Sequence, residues 1–184
     1  MTTPRILIYS ATAGYRHDSI PTAISALQKL GAQHNIAFDH TEDRSKFEDG
    51  FLSQFDALLF LSNSEEVLDQ NGHYLDAGGN YVGIHAASAC LYTSSFYNRT
   101  VGALFDYHPP LTNATVVVED ANHPSTSMLP TRWEVEDEMY NFRSDPRTHG
   151  AKVILSVDES TYTDNGTRTY DQGTPHPIGD LFLS

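Results

Sequence analysis

Of the nine histidines in this chain of 184 residues, five lie in short polar stretches whose neighbours suit proton transfer or coordination. His17 follows Arg16 in GYRHDS, and His85 ends the apolar run YVGI and opens HAAS. His108, His123 and His176 each precede a proline, in YHPP, NHPS and PHPI, where the proline stiffens the backbone and keeps the histidine extended. Imidazole titrates near neutral pH, so these side chains can serve as acid, base or metal ligand. Glu138 and Tyr140, in DEMYNF, add a carboxylate and a phenol suited to hydrogen-bonding sugar hydroxyls or to acid–base work. Zinc accepts imidazole nitrogen together with carboxylate oxygen, which makes His17, His85, His108 and Glu138 the candidate ligands for a divalent metal. No HExxH-like spacing requires one.

His85 is the best placed of the set. A strand that breaks straight into a helix presents its next residue at the ligand edge of an α/β sheet. The structural alternative is a buried histidine bonded to backbone. Cys90, the single cysteine, lies more than a helical turn beyond that point and is expected to pack as a small hydrophobe.

The elements that would position these groups alternate in the first half. Arg5–Ser10, Ile36–Thr41, Asp56–Ser62 and Tyr81–His85 read as strands. Ile20, Ala23, Ile24, Leu27 and Leu30 recur at helical spacing, with a start at Ser19 and Pro21 and a stop at Gly31. Lys46–Gln54 reads as a short helix and Glu66–Ala77 as a weak one. Such alternation implies βαβ units, a mainly parallel sheet and a ligand edge at the strand carboxyl ends. Three segments leave strands there: Ala11–Ser19, Ser62–Glu66 and His85–Cys90. In the second half Phe96–Tyr107 reads as helix, and Ala114–Glu119 and Val153–Val157 read as strands. The Pro- and Asp-rich stretch 120–150 reads as a flap or insertion beside the ligand edge. Trp133, Tyr92, Tyr97 and Tyr107 are candidates for an aromatic platform.

Composition excludes several classes. Eleven Lys and Arg against 24 Asp and Glu give a net charge of −13, which repels phosphate backbones and anionic lipid. Nucleic acid and membranes are therefore not expected as partners. One cysteine allows no internal disulfide. The N-terminus reads as a first strand rather than a signal peptide, so a cytoplasmic protein is expected. A homo-oligomer is left open.

The ordered blocks YSATAGYRHDSI, FLS, AGGNYVGIHAAS, YHPP, VEDANHPST, DEMYNFR and HPI resemble the ThuA-like (trehalose utilisation) family, over roughly residues 4 to 178. The resemblance implies a flavodoxin-like α/β fold like that of class I glutamine amidotransferases, as one domain over 4–178 with a divergent tail at 179–184. In that superfamily the nucleophilic cysteine occupies the position of His85, so glutaminase activity is not expected. Family members are associated with carbohydrate metabolism, which implies a disaccharide or keto-sugar ligand at the sheet edge. The family's polar positions fall on Arg16, His17, His85, His108, Glu138 and Tyr140, and its His-Pro positions on His123 and His176. We expect acid–base roles for His85, His17, Glu138 and Tyr140, and ligand contacts from Arg16, His108, His123 and His176. Two departures from the pattern are a shortened segment between Asp69 and Gly79 and a C-terminus that stops before the family's last strand and helix. The competing expectations are a sugar-binding module that has lost chemistry and an inactive shortened isoform.

Overall fold

The computed structural model describes residues 2–68, 74 and 78–182, which divide into two compact units, 1–101 and 102–184. In the first unit four short strands form a parallel sheet in the order β2-β1-β3-β4. They are β1 (Arg5–Tyr9), β2 (Ala37–Thr41), β3 (Ala57–Leu61) and β4 (Asn80–Ile84). All five residues of the apolar run β3 are buried. That is the pattern of a strand covered on both faces.

Period-2 geometry divides β1 between two cores. Ile6 and Ile8 pack with Leu59, Leu61, Phe38 and Ile84 under Ala23, Ile24 and Leu27 of the helix α1 (Ile20–His34). Tyr9 points the other way, into an aromatic cluster with Phe47 and Phe60 at ring distances of 4.4 and 5.4 Å. Phe60 in turn meets Tyr97 at 5.7 Å.

Helix α1 starts after Ser19 with a proline in its first turn, as the sequence indicates, but it does not stop at Gly31. It runs on to His34 and ends on Asn35 in the left-handed conformation (φ 56°). Gly31 is there for close packing instead. A Cβ at that position would stand 2.5 Å from the Ile36 carbonyl and 2.6 Å from the Phe38 ring. Leu30, counted from its spacing on the buried stripe, is 51% exposed. The helix expected over 46–54 is a single turn, α2 (Asp49–Leu52), and most of the one expected over 66–77 lies outside the described residues.

The expected helix Phe96–Tyr107 splits. Helix α3 (Ser95–Val101) gives way at Gly102, which takes φ 82°, and β5 (Phe105–Tyr107) follows in the second unit. There, β6 (Thr112–Val118), β7 (Arg132–Asp137), β9 (Lys152–Asp158) and β10 (His176–Leu181) form an antiparallel sheet ordered β10-β9-β6-β7. β5 pairs with β8 (Asn141–Phe142). The stretch read as a flap thus contains a strand, β7, paired along its length with β6. Gly179, Asp180 and Leu181, expected in a divergent tail, pair with β9.

Candidate functional site

The three segments predicted to leave the parallel sheet at its carboxyl edge are laced together by backbone. Ala13 N–H donates to Ser64 O (2.9 Å), Glu65 N–H to Ala89 O (2.9 Å) and Leu91 N–H to Glu65 O (3.1 Å). Isolated bridges join Thr12 to Ser64 and Glu65 to Cys90. Side chains add to the lacing. Asn63 Nδ2 donates to Ala11 O (3.1 Å), and Ser64 Oγ accepts from Gly14 N–H (3.2 Å) and donates to Tyr15 O (2.7 Å). Among the described residues five non-glycines have positive φ, and apart from Asn35 all lie here: Ser62 (51°), Glu65 (62°), His85 (56°) and Leu91 (52°). Each such conformation costs on the order of 1–3 kcal/mol, and such residues cluster where structure is held for function.

His85 opens a 3₁₀ turn, His85–Ala89, directly after β4. Behind it Ala86, Ala87 and Ser88 are buried, while His85 itself is exposed. Tyr97 of α3 anchors the turn by donating its hydroxyl proton to Ala87 O (2.7 Å), and the Tyr81 hydroxyl lies 2.6 Å from that of Tyr97. The His85 ring meets the His17 ring edge to face, centroids 4.5 Å apart, and His17 meets Tyr15 the same way at 4.8 Å. Arg16 pairs with Glu42 at 2.7 Å, and Glu42 also accepts from Ser10. Burial raises the Glu42 pKa, but the Arg16 and Ser10 hydrogen bonds more than offset it and leave the carboxyl below its ordinary value. Cys90 is fully buried with its thiol against Ala87 O and the Tyr97 hydroxyl, and burial pushes its pKa to about 12. It is a packing residue, as the sequence indicates.

The second unit gathers another group. His108 Nδ1 lies 2.7 Å from Pro109 O, so that nitrogen carries the proton. In the neutral ring the lone pair is then on Nε2, which faces Glu138 Oε1 at 3.6 Å. Two acceptors that close call for a positive group or a donor between them: a proton on Nε2, a ligand hydroxyl or a cation. Their separation approximates the roughly 3.3 Å edge of a tetrahedron with zinc-to-ligand bonds of about 2.0–2.1 Å. Tyr140 stacks on His108 (5.6 Å, 21°) and packs against Phe105 (4.4 Å).

His176 supports this group from behind. It is 2% exposed, and Nε2 donates to Tyr140 O at 2.8 Å. Its Nδ1 lies 3.2 Å from the Tyr162 hydroxyl and 3.0 Å from Glu159 Oε1. Burial lowers the His176 pKa by more than the Tyr140 carbonyl and Glu159 raise it.

His123 stands apart. Register pairs Thr112 with Asp137 and Val117 with Arg132, so Glu138 and His108 share one end of β6 while His123 follows the other. The seven residues of β6 span roughly 20 Å. His123 is engaged in its own turn, with Nδ1 on Ser125 and its carbonyl accepting from Thr126 and Ser127 N–H.

Sequence reasoning missed Asn141, Glu159 and Arg168, and it read Tyr97 as a candidate platform ring rather than as the anchor of the His85 turn. Asn141 is buried between Arg168, Gln172 and Asp164, and Arg168 pairs with Glu159. No local motif marks them, because these partners are 9 to 31 residues away in sequence.

The family model described as "ThuA: Trehalose utilisation" matches residues 5–179. The chain belongs to the ThuA family. Among solved structures it is similar to a ThuA-like protein from Bacteroides uniformis, with 22% identity and a TM-score of 0.73 over 98% of this chain and 76% of that one. A ThuA-like protein from Parabacteroides merdae follows, with 18% identity and a TM-score of 0.56 over 84% and 75%. The glutaminase domain of Trypanosoma brucei CTPS, with bound acivicin, is 12% identical with a TM-score of 0.50 over 86% and 76%. These likenesses establish a glutamine amidotransferase-like α/β fold. No curated protein matches the chain. No described helix is long and apolar enough to cross a membrane.

Proposed function

We propose that this ThuA-family protein acts in carbohydrate metabolism, binding a disaccharide or its keto form at the carboxyl edge of the parallel sheet. The observation that carries this reading is His85, exposed and in the left-handed conformation at the strand end, with its ring against that of His17. An imidazole can either accept or donate a proton, so of two adjacent rings one can act as base while the other acts as acid. Beside a ketone that pair suits proton abstraction from the neighbouring carbon and protonation of a leaving oxygen. We assign acid–base roles to His17, His85, Glu138 and Tyr140, and ligand recognition to Arg16 and His108. The reading treats residues 4–178 as one functional domain, places the protein in the cytoplasm and includes neither nucleic acid nor membrane among its partners.

Glutamine hydrolysis is not part of this reading. Amide hydrolysis by a covalent route needs a strong nucleophile at the turn, and histidine seldom serves as one. Cys90, buried and held as a thiol, does not substitute.

The test is incubation of purified protein with trehalose, sucrose, maltose and their 3-keto derivatives, following both binding and product formation. Saturable binding of at least one sugar, with turnover that falls on His85→Ala, supports the reading. Binding without product reduces it to a sugar-binding module, and no binding across the panel overturns it. Elemental analysis of protein purified without chelators or a histidine tag decides whether a metal takes part.

A further inference from the structure

Tyr15 is 73% exposed, and among the described residues its hydroxyl has no hydrogen-bond partner. Single exposed aromatics are ordinary on protein surfaces. This one differs in how it is held. The backbone on either side of it is tied to one side chain, with Gly14 N–H donating to Ser64 Oγ and Ser64 Oγ–H donating to the Tyr15 carbonyl. Ser64 is itself buried, and its carbonyl takes the Ala13 N–H. Gly14 makes the close approach feasible, since a Cβ there would stand 2.5 Å from Glu65 Cγ. The loop backbone is thereby held, and from it the ring sits edge to face with His17, which also meets His85.

We propose that Tyr15 is the ring-stacking residue of the sugar site, selecting a cyclic sugar by its apolar face. This inference rests on the reading of His17 and His85 as a sugar-binding edge. An aromatic face carries negative charge density and a positive rim. The C–H bonds on one face of a pyranose are weakly positive and apolar, so they match that face. The phenol adds a polar tip at the rim for a ring hydroxyl. A solvent-facing aromatic on a loop whose backbone is already held also binds without the cost of ordering that loop. Open-chain polyols and small anions lack such an apolar face, and the proposal therefore orders ligands as cyclic disaccharide above open-chain sugar alcohol.

The experiment titrates trehalose, 3-keto-trehalose and sorbitol into wild-type protein and the variants Tyr15→Ala, Tyr15→Phe and Tyr170→Ala. Tyr170, 45% exposed in the second unit, serves as a control. The expected result is an about tenfold weaker Kd for the disaccharide with Tyr15→Ala and no more than about twofold with Tyr15→Phe. The thermal midpoint should stay unchanged in both, because the ring is exposed. Wild-type affinity in Tyr15→Ala overturns the stacking role and leaves the sugar-site reading standing. Failure of wild-type protein to bind either disaccharide overturns the reading itself, and the stacking role with it.

Discussion

The His17 and His85 rings meet at 4.5 Å with their planes 78° apart, although the two residues leave different strands. Ser64 and Glu65, in the loop after β3, join the two loops by backbone hydrogen bonds and fix that meeting. At His85 the arrangement requires a left-handed backbone that a Cβ disfavours.

His85→Gly follows from that conformation. Glycine accepts φ 56° without the Cβ penalty. The variant should melt no lower than wild type, and up to about 1 kcal/mol higher in stability by urea titration. A clear loss of stability would mean that the His85 ring contributes more through packing than its backbone costs.

Asp180 gives a pH-dependent test of the second unit. It has no cationic partner among the described residues, and burial raises its pKa from 3.8 to about 6. The folded state thus holds the proton more tightly than the unfolded one. Its contribution is fully present below pH 3.8 and is lost as pH rises to about 6. Two pH units correspond to roughly 3 kcal/mol as an upper bound. Asp180→Asn should stabilise the protein by about 1–3 kcal/mol at pH 7 and change little near pH 3.5, read by denaturant titration at both pH values.

His176 titrates with the opposite sense. Its folded pKa lies below the ordinary histidine value of 6.5, so the folded state binds fewer protons than the unfolded one. Stability from this residue is complete above pH 6.5 and falls as pH drops through the window beneath it. His176→Gln, which can still donate to the Tyr140 carbonyl, should flatten that fall in a series of melts between pH 7.5 and 5. An unchanged slope would remove His176 as its source.

Tyr97→Phe deletes one hydroxyl under the His85 turn. The Ala87 carbonyl loses its 2.7 Å donor in a buried setting, which should cost about 1–2 kcal/mol in urea titration. Backbone amide exchange over residues 85–90 should quicken more than the global change accounts for.

Much of the first unit is legible in the sequence because its signals are local. Buried runs such as ALLFL and the Ile20–Leu27 spacing determine strand and helix directly, and the edge follows from topology. Gly31 misleads because a glycine that ends a helix and one that admits a neighbouring ring look alike in one dimension. The second unit is less legible. RWEVED carries the alternation of a half-exposed strand, but Pro and Asp on either side hide it. The supporting shell is hidden for another reason: Tyr97, Asn141 and Arg168 act through partners far along the chain. His123 and His176 share a His-Pro motif, yet one sits in a turn and the other is buried behind Tyr140, because the motif specifies backbone and not surroundings.

The most direct measurement of the central claim is calorimetric titration of 3-keto-trehalose into wild-type protein, His17→Ala and His85→Gly, each first shown to be folded by its melting transition. The account expects saturable binding by the wild type and at least tenfold weaker binding by both variants. Equal affinity in all three proteins would contradict it.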